Sequence, residues 1–212
     1  MSEFDMLVQR IKSCTECALS QGRTQAVPGE GSPTADIMFI GEGPGYYEDR
    51  DGRPFIGRAG NVLTGLLNGI GLRREDVYIT NMVKCRPPNN RDPMPEELNA
   101  CSGFMDAQIE MIKPKVIVTL GRFSFGKFFP GESITRARGK PRRWRGLTVY
   151  PMYHPAAVLH NPNLRSALEG DFRRLPELIE EAAHTGPAGP GPEPADVPLV
   201  KEPAKARQLN MF

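Results

Sequence analysis

Residues 37–60 run IMFIGEGPGYYEDRDGRPFIGRAG. An apolar tetrad, Ile37-Met38-Phe39-Ile40, opens into a loop with six glycines in the twenty residues Gly41–Gly60. A helical pattern follows over Asn61–Ile70, with Val62, Leu63, Leu66, Leu67 and Ile70 at helical spacing. Strand, glycine-rich loop and helix form the unit from which open α/β sheets are built, and ligands bind in the loop beyond the strand. The glycines permit a close backbone approach to such a ligand. Phosphate is the obvious candidate, but Gly41, Gly43 and Gly45 alternate, so neither the G-x-G-x-x-G spacing nor a Gly-Lys-Ser/Thr ending is present. Glu42 would also repel a phosphate.

The alternation continues outward. Val77–Thr80, Val116–Leu120 and Leu147–Met152 are further strand-length apolar runs. Pro95–Ile112 opens with a proline followed by Glu96 and Glu97, as helices do. Arg122–Phe129 and Leu164–Ala183 supply two more helical patterns. Together these predict a three-layer α/β/α fold around a central four-stranded parallel sheet. The chain has 212 residues, 39% of them hydrophobic, enough for one substantial domain, placed at residues 1–183. Residues 184–206 are rich in proline and glycine and predict a flexible linker, ahead of a short terminal peptide at 207–212. No apolar run approaches the roughly 18 residues of a membrane span. The start, MSEFDMLVQRIKSC, is amphipathic and lacks the apolar core of a signal peptide. A monomeric, cytoplasmic protein is expected.

The net charge is only +2, yet Arg136, Arg138, Lys140, Arg142, Arg143 and Arg145 crowd ten residues around Trp144. Such a patch suits phosphate contact or a solvated hairpin. The four cysteines fall as Cys14-x2-Cys17, then Cys85 and Cys101. In a reducing compartment they suit a metal or a cluster rather than disulfides. One close pair instead of two tilts the pattern from zinc towards [4Fe–4S], with buried free thiols as the plain alternative.

Polar residues gather just past the predicted strand ends. GEGPG follows the first strand, Asn81 the second and His154 the last. In a parallel sheet these ends share one crevice, which would hold a carboxylate, a carboxamide, an imidazole and the nearby Phe55. The set suits a planar heterocycle, with Phe55 for stacking, Asn81 as donor and acceptor, and His154 as a donor to a developing oxyanion. Singly, Asn81 could cap a turn, and His154 and Phe55 could be core residues.

The motifs at 41–60, YITNMVKCRPPNNRDP at 78–93, VTLG at 118–121 and MYHPAAVLHNP at 152–162 resemble those of the family 4 uracil-DNA glycosylases, from about Cys14 to Ala183. The resemblance implies a [4Fe–4S] cluster on Cys14, Cys17, Cys85 and Cys101. It also implies hydrolysis of the N-glycosidic bond of deoxyuridine in single- or double-stranded DNA, leaving an abasic site. Phe55 would stack on uracil, Asn81 would read its O4 and N3 edge, and His154 would donate to O2. Glu42 and Gly43 would line the pocket and approach the sugar, and Glu48 would stand near C5 to refuse a thymine methyl. Glu42 is the candidate to position the attacking water, the alternative being that it holds the loop while backbone orients the water. Asn90 and the HPAAVLHNP loop at 154–162 would be close to DNA, and from the basic patch Arg142 and Arg143 are the candidate DNA contacts. A broader-specificity sister family lacks counterparts of Glu42 and Asn81. The terminal Gln208-Leu209-Asn210-Met211-Phe212 resembles a bacterial sliding-clamp-binding peptide, with Gln208, Leu209, Met211 and Phe212 as its contacts. The alternatives are a non-catalytic iron–sulfur DNA-binding or clamp-adaptor protein and a nucleotide-binding redox protein.

Overall fold

The computed structural model describes residues 1–184. The terminal peptide at 207–212, and the linker apart from its first residue, lie outside the described residues. Six strands form one sheet: β1 (Glu30–Gly31), β2 (Ile37–Gly41), β3 (Tyr78–Asn81), β4 (Val116–Leu120), β5 (Arg142–Trp144) and β6 (Leu147–Met152). Their order is β1-β3-β2-β4-β6-β5. The inner four are parallel, as the apolar runs predict, and the short edge strands are antiparallel.

Among the described residues ten α-helices surround the sheet. They are α1 (Glu3–Ser13), α2 (Leu19–Gly22), α3 (Tyr46–Asp51), α4 (Arg58–Asn68), α5 (Pro95–Ile112), α6 (Arg122–Phe128), α7 (Ile134–Ala137), α8 (Ala156–His160), α9 (Arg165–Arg173) and α10 (Leu175–His184). The pattern at 164–183 predicts one helix, and the structure has two. Pro176 explains the break, because it has no N–H for the carbonyl four residues back.

The strands alternate faces, so each apolar run serves two cores. Ile37 and Phe39 of β2, with Val116 and Val118 of β4, pack against Leu63 and Leu67 of α4 and Leu168 and Phe172 of α9. Phe39 and Phe172 stack with centroids 5.7 Å apart. Met38, Ile40 and Ile117 face the other way, onto Met105 and Ile109 of α5. This double burial explains why the inner strands are continuously apolar. The site's polar side chains stand at or just past the strand ends, and the polar residues inside the inner strands are buried threonines.

The basic run at 136–145 resolves into α7 and the edge hairpin β5–β6. Arg145 and Gly146 turn the hairpin with φ 44° and 84°, and Trp144 pairs with Leu147. Two positive φ values in a two-residue loop match the twist of the strands.

Candidate active site

Gly41 and Asn81 are register partners at the carboxyl ends of β2 and β3. Their chains stay paired one step further, where the N–H groups of Met82 and Val83 donate to the carbonyls of Gly41 and Glu42. His154 follows β6 by two residues. Between them opens a cavity of about 290 Å³. Seven residues singled out from the sequence line it: Glu42, Gly43, Glu48, Phe55, Asn81, Asn90 and His154. At this size it takes one small planar ligand rather than a dinucleotide.

The floor is tight. A Cβ on Gly41 would lie 2.4 Å from Asn81 Oδ1 and 2.5 Å from Phe55 Cζ. Asn81 is almost fully buried, and its Oδ1 has no hydrogen-bond partner in the protein. A buried acceptor without a donor is costly, and a ligand N–H relieves it. Below it, Lys84 is buried and spends its ammonium on Thr80 Oγ1 (2.7 Å), the Asn81 carbonyl (2.8 Å) and Gln108 Oε1 (2.7 Å). Burial pulls its pKa down to about 7. The sequence showed only a lysine beside a cysteine, and nothing there marks it as the support of Asn81.

Phe55 is buried, with φ 51°, a backbone state that aromatic residues rarely adopt. Its ring centroid lies 5.5 Å from that of His154, tilted by 30°. Glu48 fastens the loop that carries it. One carboxylate oxygen accepts from the N–H groups of Ile56 (2.9 Å) and Gly57 (2.8 Å), the other from that of Gly45 (3.1 Å).

His154 Nδ1 accepts from the N–H of Ala156 at 3.1 Å. That bond fixes the neutral tautomer with the proton on Nε2. Burial holds its pKa down at about 4, against a weaker opposing pull from Glu48. The ring is therefore a neutral N–H donor at any physiological pH. Gly121, with φ 94°, lies behind it, where a Cβ would approach His154 Cβ to 3.3 Å.

Glu42 stands half-buried on the cavity wall. Burial, and then the charge of Asp92, push its carboxyl above the usual range, with Arg122 opposing them. Arg122 is itself paired with Asp92. Asn89 and Asn90 both have positive φ, which asparagine tolerates, and Asn90 Oδ1 accepts from Arg86 Nε at 2.8 Å. Arg91 also lines the cavity and forms a fork to Glu97 at 2.6 and 2.9 Å.

Arg142 and Arg143 lie apart from the cavity, on β5. Arg142 forms a fork to Glu132 at 2.7 and 2.9 Å, and Arg143 donates to Thr148 Oγ1 and the Gly146 carbonyl.

The cysteines gather elsewhere. Cys85 and Cys101 are buried in one apolar cluster with Leu7 and Ile11 of α1, and Cys14 and Cys17 pack against it. Burial raises both buried thiols, Cys101 to about 11, and Arg23 Nη1 donates to Cys85 Sγ at 3.0 Å. Among the described residues no three His, Cys, Asp or Glu side chains draw together around a single metal ion. No helix there is long and apolar enough to cross a membrane.

Residues 28–175 match the family model of the uracil DNA glycosylase superfamily. A type-4 uracil-DNA glycosylase of Sulfurisphaera tokodaii is 53% identical over 188 residues, 84% of this chain and 86% of that protein. Pyrobaculum aerophilum has both a type-4 and a type-5 uracil-DNA glycosylase similar to this chain. The type-4 protein is 43% identical over 80% of this chain and 91% of its own length. The type-5 protein is 29% identical over 85% and 92%.

Proposed function

The chain belongs to the type-4 branch of the uracil-DNA glycosylase superfamily and excises uracil from DNA in repair, and from that premise we propose how its pocket residues divide the work. Deoxyuridine is flipped out of the stack at a cost of a few kcal/mol, least from single strands or mismatches. Its ring lies on Phe55. Asn81 accepts from N3–H and donates to O4, which selects uracil over cytosine. Glu48 and the glycine loop close the wall at C5 against a thymine methyl.

The C1′–N1 bond then breaks with its electrons on the base. Charge collects on O2, where His154 Nε2–H donates without giving up its proton. The neutral tautomer of His154, fixed by the Ala156 N–H, is the observation that carries this role. Glu42 orients water towards C1′ and takes its proton. The raised carboxyl of Glu42 supports this, because a base is effective when its pKa approaches the working pH. Asn90 meets DNA at the cavity mouth. Arg142 and Arg143 contact phosphates further out, Arg142 exchanging Glu132 for phosphate.

Cys14, Cys17, Cys85 and Cys101 would hold a [4Fe–4S] cluster. Four soft donors in one apolar corner suit it, as does the Arg23 hydrogen bond to sulfur. The cluster would supply a cross-link between α1, the segment after β3 and α5. The sequence alone supports residues 184–206 as a tether and Gln208–Phe212 as a sliding-clamp ligand. A DNA substrate supports a cytoplasmic, nucleoid-associated protein.

Single-turnover excision from uracil-containing DNA tests the assignments. His154→Ala should slow it about 10²–10³-fold. Asn81→Asp should admit cytosine. Near-normal excision by His154→Ala at saturating enzyme would remove the oxyanion role.

A further inference from the structure

Phe55 holds a left-handed backbone state that the cavity does not enforce, and such strain persists only where the surroundings over-determine it. Glu48 grips the N–H groups after Phe55 from the cavity side. A second grip comes from outside. Arg74, in a 3₁₀ turn (Arg74–Asp76) just before β3, donates Nη2 to the Pro54 carbonyl (2.6 Å) and Nη1 to the Phe55 carbonyl (2.9 Å). Nη1 also reaches Thr64 Oγ1 on α4 at 3.3 Å. Its Nε donates to Glu30 Oε1 on β1 at 3.0 Å, an oxygen shared with Arg53 Nη2 (3.0 Å), while Arg53 Nε takes the other oxygen at 2.6 Å. The Arg74 side chain is only 14% exposed. None of Arg74, Glu30 and Thr64 lines the cavity. Gly60 completes the fit, since a Cβ there would lie 1.8 Å from the Phe55 carbonyl oxygen.

We infer that Arg74, oriented by Glu30, is a positioning residue for excision: its planar fork fixes the carbonyls of Pro54 and Phe55 and so sets the plane on which the flipped base lies. The inference rests on Phe55 as the stacking surface. Lysine's three donors radiate from one nitrogen on a flexible stem, so it cannot reproduce the planar spread of donors by which the guanidinium spans both carbonyls and Glu30. A role in packing alone would lower the melting temperature and leave base affinity unchanged.

The experiment uses Arg74→Lys, Phe55→Ala, the double variant, and Arg53→Ala, which loses two bonds to Glu30 and none to the Pro54 and Phe55 carbonyls. It reads single-turnover excision, inhibition by free uracil, and melting temperature. Arg74→Lys should slow excision roughly tenfold and weaken uracil inhibition to match, since a tenfold effect corresponds to the lower end of such strain. In the Phe55→Ala background it should add nothing further. Arg53→Ala should excise normally. Full excision by Arg74→Lys beside a damaged Phe55→Ala overturns the inference alone. So does an equal loss in both backgrounds, or unchanged uracil inhibition. Full excision by Phe55→Ala overturns the stacking role as well. If Arg74→Lys melts below the assay temperature, Glu30→Ala, which removes the acceptor that orients the guanidinium, is judged by the same outcomes.

Discussion

Gly41→Ala should disable the pocket while sparing the fold. The new Cβ would stand 2.4 Å from Asn81 Oδ1 and 2.5 Å from Phe55 Cζ, each about 1 Å short of ordinary contact near 3.4 Å. Both obstacles are side-chain ends beside a cavity of about 290 Å³, so they can retreat. The backbone of Gly41 has no positive φ, so alanine fits the strand. Stability should therefore fall by no more than about 1–3 kcal/mol for overpacking, a Tm loss of roughly 2–4 °C per kcal/mol. Catalysis is less tolerant. Misplacing the groups that hold a substrate by about 1 Å costs on the order of 10²-fold, and here the stacking ring and the base reader move together. Single-turnover excision on a uracil-containing single strand, with a melting curve on the same sample, separates the two effects. Gly65→Ala on α4, where a Cβ meets nothing within 4 Å, is the control and should excise normally. If Gly41→Ala excises within about threefold of the parent at unchanged Tm, the Phe55–Asn81 spacing does not limit catalysis and the geometric account of the pocket is wrong.

The acid limb of the pH–rate profile should follow Glu42. Its carboxyl is raised, so excision falls on acidification at a higher pH than an ordinary glutamate would give, while His154 stays neutral down to about 4. Asp92→Asn removes a like charge and frees Arg122, so the limb should move to lower pH; an unmoved limb excludes Glu42 as the titrating group. Cys85→Ala should lower Tm and bound iron before it alters base preference, and normal iron content would remove Cys85 from the ligand set. A chain ending at Ala206 should lose binding to a bacterial sliding clamp in a titration, and equal affinity for both lengths would end that assignment.

The inner strands were legible because each is buried on both faces, which leaves an unbroken apolar run. The edge strands were not. Glu30–Gly31 is two residues long, and β5 lies within a run of arginines that charge alone marks as solvated. The helix break at Pro176 was written in the sequence but hidden by continuous apolar spacing on either side. The residues that line the cavity stood at strand ends, where a parallel sheet must expose them. Their supports left no motif. Arg74 reaches carbonyls nineteen and twenty residues back, and any residue type supplies a carbonyl. Lys84 is equally silent, because burial of an ammonium is visible only when Gln108, Thr80 and the Asn81 carbonyl converge on it.

Beneath Phe55 and Asn81 the pocket rests on main chain, at Gly41. Gly41 has no side-chain torsion, and its pairing with Asn81 is part of the sheet register. Heating populates alternative rotamers, but a floor without rotamers has none to populate. Its depth changes only if the parallel pairing of β2 and β3 gives way, which is the unfolding of the sheet itself. The spacing that this main chain sets beneath Phe55 and Asn81 should therefore hold up to the melting transition and be lost only with it.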